Sequence, residues 1–309
     1  MNSQKDRSAR YRLNNDRGME VEIASKGGSI ERLIVPDRNG HPENIMFDCS
    51  LVTVPAIPRG LSGRLYDTSS GSVHEIDLAL HQLLFTAEPF STTQESGLRL
   101  SAEIAVNGQV IAINVLYVLT NSNQLILRYT ATTNQPLRLS LSLPVFFNLS
   151  GNLKASITKH DLKFSSSCFI HPVPALSINP CLQQTKGTPF DFRLGRRLNR
   201  FFLDKMFSRS PADTYYLFHQ QPVISVHEAV SGRWMTMETS QPGFVLSTAA
   251  HHTDTFFPVF VLIQPISFCH LSLTVQFPPF TRRLIRSARR IDFTARGGQQ
   301  TVHLSSSSV

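Results

Sequence analysis

Residues 98–132 read LRLSAEIAVNGQVIAINVLYVLTNSNQLILRYTAT, and the alternation inside them decides the fold. Leu98, Leu100, Ala102, Ile104 and Val106 fall on one side of an extended chain, while Arg99, Ser101 and Glu103 fall on the other. Successive side chains of a strand point to opposite faces, so this period of two predicts a strand with one buried face. Asn107-Gly108 supplies a two-residue hairpin turn, because both residue types tolerate positive φ. QVIAINVLYVLT returns as a second strand, Asn121-Ser122-Asn123 turns the chain again, and QLILRYTAT runs as a third.

The same pattern extends outward. Leu137, Leu139, Leu141 and Leu143 alternate with Arg138, Ser140 and Ser142, and Leu271, Leu273, Val275 and Phe277 alternate with Ser272, Thr274 and Gln276. Helical periodicity is almost missing. The expectation is an all-β protein, a large antiparallel sandwich, with strands at 98–106, 110–119, 125–132 and 137–143 adjacent in one sheet. No linker rich in Gly, Pro or Ser divides the chain, so residues 19–298 are expected to form one domain between flexible tails at 1–18 and 299–309.

Composition narrows the function classes. With 41% hydrophobic and 17% charged residues, a chain of 309 residues can build a core without metal or disulfide. Its four cysteines, at 49, 168, 181 and 269, lie too far apart for a structural zinc site. His251 and His252 are neighbours, and neighbours on a strand face opposite ways, so no metal site is expected there. Lys26-Gly27-Gly28 is too short for a phosphate loop, and no cofactor is expected. The start MNSQKDRSARYRLNND lacks the apolar segment of a secretory signal, and no run reaches membrane-span length. A cytoplasmic location with free thiols is the expectation, as a monomer or weak homodimer.

A net charge of +8 and a pI near 9.6 raise the question of an acidic partner. The cations cluster, with Arg193, Arg196, Arg197 and Arg200 in one group and Arg282, Arg283, Arg286, Arg289 and Arg290 in another. In a strand Arg282, Arg286 and Arg290 share one face, and burying them all is too costly, so a wet basic strip is expected there. Neither group shows the aromatic spacing of an RNA-binding sheet.

Four stretches, taken together, resemble the aldose 1-epimerase (galactose mutarotase) family. They are GGSIERLIVPDRNGHPENIMF (27–47), LRYTATTNQPLRLSLSLPVFFNLSG (127–151), KGTPFDFRLGRRL (186–198) and SGRWMTMETSQPGF (231–244), in the family's order. The Thr-Pro-Phe-Asp-Phe-Arg match is the most specific. The resemblance implies a β-supersandwich and the interconversion of sugar anomers. In that chemistry a carboxylate takes the proton of the anomeric hydroxyl while an acid protonates the ring oxygen, and the ring opens.

Carried over position by position, the resemblance also implies a loss. The family's acid is the histidine of Asn-His-Ser-Tyr-Phe-Asn-Leu; Phe147-Asn148-Leu149 match, and the histidine falls on Pro144. The family's base is a glutamate two residues before a glutamine; in VFVLIQP, Gln264 is kept and Leu262 takes the glutamate's place. Neither proline nor leucine transfers protons. The remaining sugar contacts map onto Arg64 in GLSGRLYDTS, His81 in LALHQLL, Asp213 in PADTYYLF, and Gln264. Arg64 otherwise reads as a loop arginine, His81 as a satisfied strand histidine, and Asp213 as an Asx-turn residue.

Three functions follow. The first is a catalytically impaired homologue that binds a sugar or sugar phosphate. The second is a working epimerase using displaced groups such as His81, Asp213 or Glu238. The third is a basic scaffold for protein or nucleic acid on a retired enzyme fold.

Overall fold

Residues 8–46, 60–66, 73–106, 108–133, 138–170, 182–198, 214–219, 222–248, 260–263 and 270–276 are described by the computed structural model. All of them belong to one compact unit, Met1–Pro279. Its strands begin with β1 (Arg10–Asn14), β2 (Glu20–Ala24), β3 (Ile30–Pro36) and β4 (Pro42–Asn44), paired in sequence as one antiparallel sheet. β1 takes up residues that the sequence assigns to a flexible tail. Its charges explain the docking, because Arg12 meets Glu20 and Glu22 on β2 while Leu13 is buried beneath.

β5 (Ser62–Tyr66) and β6 (Val73–Glu75) come next, then α1 (Asp77–Gln82), a short helix whose Leu80 is buried. β7 (Thr86–Ser91), β8 (Glu95–Val106), β9 (Gln109–Thr120) and β10 (Gln124–Thr133) form the expected meander. Gly108 has φ +77°, and Val106 pairs with Gln109 across the turn.

The fourth expected neighbour goes elsewhere. β11 (Arg138–Ser142) pairs with β5 in a three-stranded sheet, order β11-β5-β6. A strand has only two edges, and those of β10 are taken by β9 and by β22 (His270–Gln276).

The rest of the chain builds β12 (Phe146–Phe147), β13 (His160–Phe164), β14 (Ser166–Ile170), β15 (Gln183–Gln184) and β16 (Arg196–Arg197). β17 (Thr214–Phe218), β18 (Val223–Glu228), β19 (Trp234–Thr239), β20 (Gly243–Thr248) and β21 (Phe260–Ile263) complete it. Two sheets dominate, a nine-stranded one in the order β16-β13-β18-β19-β22-β10-β9-β8-β7 and a six-stranded one in the order β12-β21-β20-β17-β14-β15.

Their inner faces meet through aromatic rings. Phe164 of the larger sheet lies edge-on to Tyr216 and Phe244 of the smaller, with centroids 4.7 and 4.9 Å apart, and stacks on Phe192 at 5.0 Å. Aromatic pairs favour these edge-on and offset geometries, and they add to the burial of apolar area. The architecture is the sandwich that the alternation predicts.

Candidate functional site

Pro144 lies in the passage from β11 to β12, and it is buried together with Leu143, Val145 and Phe146. A proline is tolerated here for a topological reason. β12 is the edge strand of the six-stranded sheet, and Pro144 stands just outside its ladder, where no backbone donor is required. Phe146 pairs with Val261 and Phe147 with Phe260, so the passage holding Pro144 runs beside the strand holding Leu262. The two positions that the resemblance assigns to acid and base thus lie on neighbouring segments, and the register, continued by one residue, sets Val145 rather than Pro144 opposite Leu262.

One cross-strand row continues from there, with Leu262 opposite Leu246 and Leu246 opposite Thr214. At a strand spacing of about 4.8 Å the row is roughly 10 Å wide. Asp213 lies outside the described residues, but its neighbour Thr214 heads the strand at the end of this row and is buried. Gln264 is likewise outside the described residues, and so are Arg200 and the arginines from Arg282 to Arg290.

Arg64 and His81 approach from the three-stranded sheet. Ser62 pairs with Ser142, two residues before Pro144, and Arg64 pairs with Ser140. Ser62 and Arg64 are two apart on β5 and therefore share a face. His81 is on α1 rather than on a strand, and its Nε2 is 3.2 Å from Ser62 Oγ. A helix of six residues, under two turns, is too short to leave a 3.6-residue signature, which is why the sequence suggests a strand. Arg64 is exposed. Glu238 does not join this group. It sits on β19 of the nine-stranded sheet between Val223 and Thr274, facing away from the core side that Met235 and Met237 occupy. Burial raises its carboxyl pKa.

Directly after β12, residues 148–151 join a polar cluster that sequence reasoning missed. The Arg233 side chain is fully buried, at 0% exposure. Its Nε donates to Val35 O at 3.0 Å, Nη1 donates to Leu149 O at 3.0 Å, and Nη2 donates to Glu43 Oε2 at 2.9 Å. Lys154 also pairs with Glu43. Burial opposes the ionisation of Glu43, but Lys154 and Arg233 outweigh it and hold the carboxyl below its usual range.

Ser231 Oγ donates to Leu149 O at 2.9 Å, and the Leu149 N–H donates to His160 Nε2 at 2.9 Å. Asn148 Nδ2 donates to Ala155 O at 2.9 Å. Gly151 is required here, with φ +78°, because a Cβ would run into Glu43 and Arg233. The motif stretches around Val35, Asn148-Leu149-Ser150-Gly151 and Ser231-Gly232-Arg233 therefore converge on one cluster, which holds the β12 passage in place. Their recurrence in sequence order is the signal that marks them; the arginine's burial leaves no trace in the sequence.

Comparisons with known proteins agree with this architecture. The family model for aldose 1-epimerase matches residues 91–276. The galactose mutarotase of Sus scrofa is 24% identical over 270 residues, covering 77% of this chain and 77% of the relative. That of Homo sapiens is 24% identical over 257 residues, covering 73% of each. Among solved structures, a GalM/aldose epimerase homologue from C. elegans superposes with a TM-score of 0.70 at 14% identity, covering 88% of this chain and 99% of that one. Galactose 1-epimerase from Lactobacillus acidophilus gives 0.70 at 16% identity, covering 90% and 96%.

Proposed function

The chain belongs to the aldose 1-epimerase family, and from that premise we propose that it is a carbohydrate-binding member without the family's proton-transfer pair. One observation supports the reading: β12 pairs with β21, which puts the passage holding Pro144 next to the strand holding Leu262, the positions that the family resemblance gives to acid and base. Opening an aldose ring requires a group to take the anomeric proton and another to protonate the ring oxygen. Each such group contributes roughly 10²–10⁴-fold in rate. Proline and leucine carry no titratable atom. A hexose such as galactose, free or phosphorylated, is the proposed ligand, because the relatives are galactose mutarotases. Arg64, His81, Asp213 and Gln264 are its proposed contacts.

The test is polarimetry on freshly dissolved α-glucose and α-galactose, with ligand-observed NMR for binding. Purified protein is expected to leave the approach to anomeric equilibrium at the buffer rate while still giving a saturable sugar signal. Acceleration that disappears in His81→Ala would overturn the impairment, and absence of any sugar signal would overturn the binding. The His81–Ser62 contact specifically favours a second reading, an epimerase in which His81 moves the proton, and the same His81→Ala variant decides between the two.

A further inference from the structure

The outer face of the nine-stranded sheet, the side turned away from the core, carries a row of polar and aromatic side chains. One row of register partners runs across four strands, with Arg197 opposite Asp161, Asp161 opposite His227 and His227 opposite Trp234. At about 4.8 Å per strand the row is some 14 Å long. Arg197 grips Asp161 in a fork, Nε to Oδ1 and Nη2 to Oδ2, both at 3.1 Å. His227 Nδ1 is 4.0 Å from Asp161 Oδ2. On its other side the imidazole lies 5.7 Å from the indole of Trp234, tilted by 48°. That indole is 46% exposed, and it is the only tryptophan in the chain.

We propose that this row is a platform for a neutral saccharide chain, on a different sheet from the Pro144 site and independent of the reading given for that site. The chemistry is that of sugar recognition. The π-face of an indole is electron-rich and apolar, so it attracts the polarised C–H face of a pyranose ring. Next to it, within one to three strand spacings, the row offers an imidazole, a carboxylate that accepts hydroxyl protons, and a guanidinium that donates to hydroxyl oxygens. Ser225 and Thr236, the neighbouring pair on the same face, have short side chains and leave room for a ligand to lie flat.

Charge decides between a saccharide and a polyanion. Arg197 and Asp161 neutralise each other, so the row itself carries no excess positive charge; the exposed Lys163, opposite Ser225 on the same face, adds one cation beside it, and Asp161 repels phosphates and sulfates. A neutral polyol can use both partners at once. The fork fixes the Asp161 and Arg197 rotamers before any ligand arrives, which reduces the ordering cost of binding.

The single tryptophan makes its fluorescence a report on this row alone. Maltohexaose, cellohexaose and a linear β-galacto-oligosaccharide are titrated into the full chain at low and high salt. At least one is expected to shift the emission saturably, and equally at both salt levels, since no net Coulomb attraction is involved. Native gels containing the matching polysaccharide read the variants. Trp234→Ala should abolish retardation, Trp234→Phe should keep part of it, and Asp161→Asn and Arg197→Gln should each weaken it by roughly tenfold. Arg64→Ala, at the other site, should leave the emission shift intact. The proposal is overturned if none of the oligosaccharides moves the emission, if heparin or poly(U) moves it instead in a salt-sensitive way, or if Arg64→Ala removes the response.

Discussion

His160 shows at the scale of one residue how the polar cluster ties the fold to pH. It is fully buried, its Nε2 accepts the Leu149 N–H, and burial lowers its pKa from 6.5 to about 4. Above pH 6.5 neither the folded nor the unfolded chain protonates this ring, and its contribution to stability is complete. Between pH 6.5 and about 4 the unfolded chain takes up a proton that the folded chain refuses. Stability therefore falls as the pH falls through this window, by an amount on the order of 3 kcal/mol.

Glu43 and Glu228 are held below their usual value of 4.5, so their contribution is lost only at lower pH, as it falls below that value. Urea midpoints measured from pH 7 to pH 3 should show the first decline, and His160→Gln should flatten it while leaving the acid limb below pH 4.5. An unchanged slope in that variant would assign the decline to other groups. The sequence gives no hint of this residue's state, because a histidine between Lys159 and Asp161 reads as a surface residue.

Individual elements were legible wherever one face of a strand is buried, since burial imposes the period of two. β8, β9 and β10 follow their alternation and their turn residues closely. Legibility stopped where partners are chosen at long range. The assignment of β11 depends on β22 having filled the free edge of β10, and the row from Arg197 to Trp234 exists only through a register set across four strands.

β7 shows how an edge is finished locally. It carries Pro89, which an edge strand tolerates, and its Phe90 pairs with Gly97 of β8. The Phe90 ring occupies the space in which a Cβ on Gly97 would stand, and Arg99 lies over the same ring at 5.1 Å from its centroid. Gly97→Ala should displace the ring and destabilise the chain by about 1–3 kcal/mol, the usual cost of overpacking. In the Phe90→Ala background the same substitution should cost far less, because the two residues share one volume. Equal costs in both backgrounds would place the strain in the backbone instead.

For the whole molecule, the site and the sandwich depend on the same long-range closure. Pro144 and Leu262 come onto neighbouring segments only because β12 and β21 pair, and the larger sheet is continuous only because β22 enters between β10 and β19. β22 pairs with β10 from Gln124↔Gln276 to Thr130↔His270, and with β19 from Thr236↔Gln276 to Thr239↔Leu273. Without it the nine-stranded sheet divides into a four-stranded half, β7 to β10, and a second half built on β13, β16, β18 and β19. Each half would expose a long unpaired edge, which is a template for association with other chains. Contacts between segments so distant in sequence also form late, because loop-closure entropy must be overcome first. A chain ended at Cys269 should therefore be recovered as aggregate, whereas the full chain should elute as a discrete species and unfold cooperatively in urea. Size-exclusion chromatography and far-ultraviolet circular dichroism of both chains make the comparison. A truncated chain that elutes like the full one and unfolds at the same midpoint would mean that the two halves close on each other without β22.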